Sequence, residues 1–302
     1  MTKRWLVLVL AAMVSLFLIT GCGTEGEASE SDAANDIEET ESNSEETSEE
    51  TGSYEDGIYY AEEDGFGDSG WKYIAVLEVE DGKIVSADWN GAHKAGGDDK
   101  DTVSANGEYG MVENGDAQAE WHEQAELVEA YLIETQDPTA IEYTTDEGHT
   151  DAISGVSIHV VEFFDLAEKA LANGPVEKGP YKDGAYYAEE DEFGDSGWKY
   201  TASLTVVNGN IVAADWNGVF EDGGDDKDTV SANGEYGMVE NGGAQAEWHE
   251  QAELAEAYLL EVQDPTAIEY TSEEGHTDAI SGVSIHVVEF FDLAEKALAE
   301  AK

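Results

Sequence analysis

Two serines flanking a glycine precede an apolar-periodic segment, and the arrangement occurs twice. Ser154-Gly155-Val156-Ser157 is followed by Val160, Phe163, Phe164, Ala167, Ala170 and Leu171 at helical spacing. The whole stretch 150–172 returns letter for letter at 277–299, with Ser281-Gly282-Val283-Ser284 in the same place. The pattern predicts a glycine turn that forms the loop and first turn of a packed helix. Hydroxyls and unpaired backbone N–H groups at the positive end of a helix suit a phosphate. A serine that merely caps the helix would use the same residues without a ligand.

Histidine offers the other chemistry. Each copy carries three: His122, His149 and His159 in the first, His249, His276 and His286 in the second. Imidazole among carboxylates suits zinc, copper or nickel. The spacing matches no compact metal motif, since it places His122 on a helix, His149 in a loop and His159 in the first turn of the next helix. Independent surface or capping roles account for them better than a shared metal does. Gly96-Gly97-Asp98-Asp99-Lys100-Asp101, identical at 223–228, lacks the alternate-residue ligands of an EF-hand loop and reads as a solvated acidic turn. There is no nucleophile elbow, catalytic cysteine or P-loop, so nothing here points to a hydrolase or a nucleotide triphosphatase.

The elements that must position these residues repeat with an offset of 127, as Trp71 with Trp198 and Ser154 with Ser281. In the first copy, 56–61 reads as a strand, 71–79 as a second with Tyr73, Ala75, Leu77 and Val79 on one face, and 83–89 as its hairpin partner after Glu80-Asp81-Gly82. The stretch 91–115 has no clear period. A helix is predicted over 117–135, with Trp121, Ala125, Val128 and Leu132 on one face, stopped by Gln136-Asp137-Pro138. These elements give an α+β fold class: two tandem copies, each a small antiparallel sheet with two helices able to cover one face. The copies span 54–172 and 181–302, joined by a glycine- and proline-rich linker at 173–180.

With 70 acidic against 13 basic side chains in 302 residues, the formal net charge is −57. This opposes charge-driven binding to nucleic acid or anionic lipid and favours cationic or metal-bearing partners. At the N-terminus, Lys3 and Arg4 precede an apolar run from Trp5 to Ile19 and the step Leu18-Ile19-Thr20-Gly21-Cys22. Residues 1–22 read as a secretory signal. The step resembles a bacterial lipobox, which implies cleavage before Cys22 and a lipid on that residue, the sole cysteine. Residues 23–53 are acidic and polar with one aliphatic, Ile37, a composition that predicts a disordered tether.

Taken together, the Asp-Gly-x-Tyr start, the Gly-Trp-Lys strand, the hairpin, the helix and Asp-Ala-Ile-Ser-Gly-x-Ser before a terminal helix resemble the FMN-binding domain family. That family includes subunits of the sodium-pumping NADH:quinone oxidoreductase and the Rnf complex, and the pairing with a lipobox resembles the two-domain lipoproteins of extracellular electron transfer. In the family, a hydroxyl of the motif carries FMN through a phosphoester made by a flavin transferase. The resemblance implies cofactor-binding roles for Asp151, Ser154, Gly155 and Ser157, and for Asp278, Ser281, Gly282 and Ser284. Val156 and Val283 replace the family's alanine, and His159 and His286 stand where its last hydroxyl falls. The implied protein is an extracytoplasmic, lipid-anchored electron carrier rather than a turnover enzyme, with a membrane electron donor and soluble or metal acceptors. A metal-binding lipoprotein using the histidines, and a cofactor-free interaction module on the same scaffold, are the alternatives.

Overall fold

The computed structural model describes residues 54–115 and 117–302. The signal, Cys22 and the tether lie outside the described residues. The first copy opens with β1 (Gly57–Glu62), β2 (Trp71–Glu80) and β3 (Lys83–His93), followed by α1 (Lys100–Ala105), α2 (Met111–Gly115), α3 (Trp121–Thr135) and α4 (Val161–Asn173). The second repeats the order as β4 (Gly184–Glu189), β5 (Trp198–Val207), β6 (Asn210–Phe220), α5 (Lys227–Ala232), α6 (Met238–Gly242), α7 (Trp248–Val262) and α8 (Val288–Leu298). Each copy is α+β, with an antiparallel sheet in the order β1-β2-β3 or β4-β5-β6.

Alternation along β2 sends Ala75, Leu77 and Val79 to one side, where they join Tyr59, Ala61, Ile84 and Trp89. Onto this face pack the predicted stripe of α3, Trp121, Ala125, Val128 and Leu132, and Phe163, Phe164, Ala167 and Ala170 of α4. Gln136, in the left-handed region at φ 61°, stops α3. Its side-chain amide then pairs with both backbone groups of Ile84, accepting from N–H and donating to C=O at 2.8 Å each, which fixes the helix end to the hairpin.

Three expectations change. The return strand runs to His93, four residues beyond 89, and the aperiodic stretch after it holds α1 and α2. These helices are six and five residues long, too short for hydrophobic periodicity to register. Helix α3 begins at Trp121 rather than 117, because Glu120 caps it, its N–H bonding Glu123 and its carboxylate accepting from Met111 and Val112 of α2. Finally, the turn at 154–157 is a loop, and α4 opens only at Val161.

The outer faces of the two sheets meet. Ile74 and Ala92, with Tyr60, Phe66 and Val76 beside them, pack against Val207, Val212 and Ala213. The Thr205 hydroxyl donates to the Gly97 carbonyl at 2.8 Å across this contact. The linker is seated rather than loose: Val176 N–H bonds Ile58 O at 2.7 Å, and Gly179 N–H bonds Asn208 O at 3.0 Å.

Candidate functional site

The repeated Ser-Gly-Val-Ser turn sits against the start of the helix preceding it in sequence. Gly155 at φ 92° and Gly282 at the same value make a bend that L side chains rarely adopt. One side chain holds the residues after the bend. Gln124, on the buried face of α3, turns its amide oxygen to Ser157 N–H at 2.7 Å, Ile158 N–H at 3.3 Å and the Ser157 hydroxyl at 3.2 Å, while its Nε2 donates to Ala119 O at 2.9 Å. Gln251 does the same for Ser284 N–H at 2.7 Å, Ile285 N–H at 3.2 Å and the Ser284 hydroxyl at 3.1 Å. Sequence reasoning missed both glutamines. Their signal was present, since a polar residue three positions after Trp121 falls on the apolar stripe of the helix.

These bonds correct the phosphate expectation. The N–H groups of Ser157 and Ile158 are taken by Gln124, and Ser157 stands four positions before Val161, the first residue of α4. The turn is therefore not an open anion cradle at a helix N-terminus. What it does present is a hydroxyl beside open space. Ser154, Ser157, Ser281, Ser284, Asp151, Asp278, Gly155 and Gly282 are all exposed. A cleft of about 330 Å³ lies next to Ser157, walled by Ala117, Gln118, Ala119, Gln124, Gly155 and Val156. Its counterpart beside Ser284 measures about 390 Å³. Both are in the size range of small-molecule sites, and neither wall carries a basic side chain.

The histidines do not converge as a trio. His122 is held by Ser104, its Nδ1 2.9 Å from the hydroxyl that also accepts its backbone N–H. His149 and His159 lie edge to face with ring centroids 6.1 Å apart, repeated by His276 and His286 at 6.2 Å. His159 precedes α4 rather than entering its first turn, and its Nδ1 is 2.7 Å from Glu162 Oε2. This hydrogen bond raises the His159 pKa against the opposing effect of burial, and Glu289 does the same to His286. Among the described residues no group of three or more His, Cys, Asp or Glu side chains is placed to hold a metal ion.

The Gly-Gly-Asp-Asp-Lys-Asp loop is solvated at Asp98 and, in the second copy, from 223 to 226, but its lysine is buried in both copies. Asp99 caps α1 by accepting from Thr102 N–H at 2.8 Å, and Lys100, the first residue of the helix, is 1% exposed. Its ammonium lies 4.4 Å from the Trp71 ring centroid, 4.2 Å from Tyr109, and 5.2 Å from both Tyr73 and Trp121, and it donates to Tyr109 OH at 2.8 Å. Lys227 repeats the box with Trp198, Tyr200, Tyr236 and Trp248. Burial pushes the amines down, Lys100 to about 7 and Lys227 to about 8. The aromatic rings near the sheet are thus mostly committed: Tyr59, Trp89 and Trp121 to the core, Trp71, Tyr109 and again Trp121 to this lysine.

Fold and site together define a tandem α+β protein with one hydroxyl-rimmed cleft per repeat. A solution NMR structure of a Clostridium thermocellum protein is 66% identical, covering 39% of this chain and 91% of its own, with a TM-score of 0.33. A crystal structure of a Clostridium perfringens protein is 26% identical, covering 40% of this chain and 88% of its own, with a TM-score of 0.32. Both were determined as structural-genomics targets. At 66% identity over nearly the whole of its length, the Clostridium thermocellum protein and this chain belong to one family. No family model and no curated protein matches.

Proposed function

We propose that the protein is a membrane-anchored, extracytoplasmic lipoprotein that carries FMN in each repeat and passes electrons from a membrane donor to external acceptors. The observation that carries this reading is the repeated pairing of an exposed hydroxyl with an open cleft: Ser157 beside about 330 Å³ and Ser284 beside about 390 Å³. Bound FMN would supply reversible electron transfer.

The residues fit covalent attachment better than a reversible phosphate site. A reversible site needs free donors or cations, whereas the N–H groups at 157 and 158 are bonded to Gln124 and the cleft walls carry no basic group. An ester on the serine oxygen needs neither. Ser157 and Ser284 are exposed to a flavin transferase, the glycines before them shape the bend, and the amides of Gln124 and Gln251 orient the hydroxyls. His159 and His286, at the family's usual hydroxyl position, are engaged by Glu162 and Glu289. The net charge of −57 favours cationic or metal-bearing acceptors, and Cys22 would supply the anchor.

Ser157→Ala combined with Ser284→Ala tests the assignment. Both hydroxyls are exposed, so the melting temperature should move little. Covalent flavin should disappear from the protein, read as fluorescence in a denaturing gel. An adduct retained by the double variant would contradict the assignment.

A further inference from the structure

Strand β1 is an edge strand whose outer side is covered by the linker. Val176 forms an antiparallel bridge with Ile58, its N–H 2.7 Å from Ile58 O. Pro175 rests on Gly57, where an added Cβ would come 2.8 Å from the proline Cβ. The counterpart strand, β4, differs from β1 only by Ala185 in place of Ile58. Among the described residues no backbone group pairs with its outer edge, where only the Lys296 ammonium reaches in, donating to Glu189 O at 2.9 Å. A Cβ on Gly184 would meet only the Tyr186 hydroxyl, at 4.0 Å. Tyr187 is 59% exposed there, and a groove of about 620 Å³ runs between β4 and α8, lined by Tyr186, Tyr187, Glu189, Asp191, Lys296 and Glu300.

We propose that the outer edge of β4 is a docking site that takes an extended, basic segment of a partner protein as an added antiparallel strand. The first copy supplies the template, because the same edge there holds Gly174-Pro175-Val176 against an almost identical strand. In antiparallel pairing the outward backbone groups alternate, so Ile58 facing Val176 assigns Ala185 and Tyr187 as the outward residues of β4. Main-chain bonds there give affinity, and side-chain contacts give selectivity. A small or proline residue fits over Gly184, and a basic residue meets Glu300 beside the carboxylates of Glu189 and Asp191, which also bond Lys199 at 2.9 Å and Lys296 at 3.4 Å. The chain's own segment 23–53 is acidic and carries no lysine or arginine, so it is repelled. A second copy would bring Glu189 and Asp191 against their equivalents on a molecule of charge −57.

The probe is a fluorescein-labelled peptide with the sequence of residues 174–179 carrying Glu177→Lys, titrated with the full chain at low salt and followed by fluorescence polarisation. Saturable binding is expected, weakened about tenfold or more when the valine nitrogen of the peptide is methylated, because one main-chain bond is lost. Tyr187→Pro should weaken the unmethylated peptide similarly, with circular dichroism verifying the fold. Since methylation changes only the peptide, the test survives if that variant unfolds. Equal binding of both peptides would overturn the proposal by reducing it to charge attraction, as would no binding at about 1 mM. A concentration-dependent dimer that Tyr187→Pro abolishes would assign the edge to a second copy and overturn it too. None of these outcomes depends on flavin.

Discussion

Lys100 illustrates what single residues contribute and how their chemistry is hidden. In the sequence it is one cation among aspartates, and the natural reading is solvent. In the fold it becomes the first residue of a capped helix whose side chain points into four aromatic rings. The unfolded amine titrates near 10.5 and the folded one near 7. Between these values the unfolded chain binds more protons, so the lysine's contribution to stability is full above pH 10.5 and is lost as pH falls toward 7. Lys100→Met removes the titration while keeping similar bulk. Chemical denaturation across pH should therefore show wild type gaining on the variant between pH 7 and 10, by up to about 1.4 kcal/mol per pH unit. Parallel profiles for the two proteins would mean that the amine titrates normally.

At the scale of elements, the strongly periodic parts were legible: β2, the hairpin, the stripe of α3 and its stop at Gln136 all lie where alternation, helical spacing and turn residues put them. What escaped depends on contacts distant in sequence. The start of α4 moves to Val161 because the turn before it is held from outside, by Gln124 thirty-three residues away, rather than by a helical capping bond. The glycines at 96 and 223 show the same dependence on context. Both lie in the left-handed region, at φ 64° and 75°, and both open the same Gly-Gly-Asp-Asp-Lys-Asp run. A Cβ on Gly96 would collide with the Ser203 carbonyl and come 2.9 Å from its Oγ, whereas one on Gly223 would meet nothing within 4 Å. The conformational cost of alanine is common to both, so Gly96→Ala should cost about 1–3 kcal/mol more than Gly223→Ala. Thermal melts of the two variants measure the difference directly.

The whole molecule explains why near-identical repeats diverge where they do. Glu78, Glu80 and Ser86 are exposed in the first copy, while their counterparts Thr205, Val207 and Ala213 are buried in the second, against the face that holds Ile74 and Ala92. Duplication was plain in the sequence. The contact between the copies was not, because it is written only in these few differences and requires knowing which face each residue occupies. Val207→Glu restores the residue of the first copy, where that strand position tolerates a carboxylate in solvent, but here places it in an apolar contact. It should cost about 2–4 kcal/mol and expose the contact, read as a lower melting temperature and faster amide exchange at Thr205 and Ala213. An unchanged melt would show that the two sheets do not depend on one another.

The same scale holds the central claim, that each repeat carries a flavin on its serine turn. The most direct measurement is the intact mass and flavin fluorescence, after denaturation, of the chain exported from a host that supplies a flavin transferase. Added mass equal to two FMN groups, with fluorescence that stays with the protein, is the predicted result. A mass equal to that of the polypeptide and its lipid alone, with no flavin in the native or the denatured protein, would contradict it.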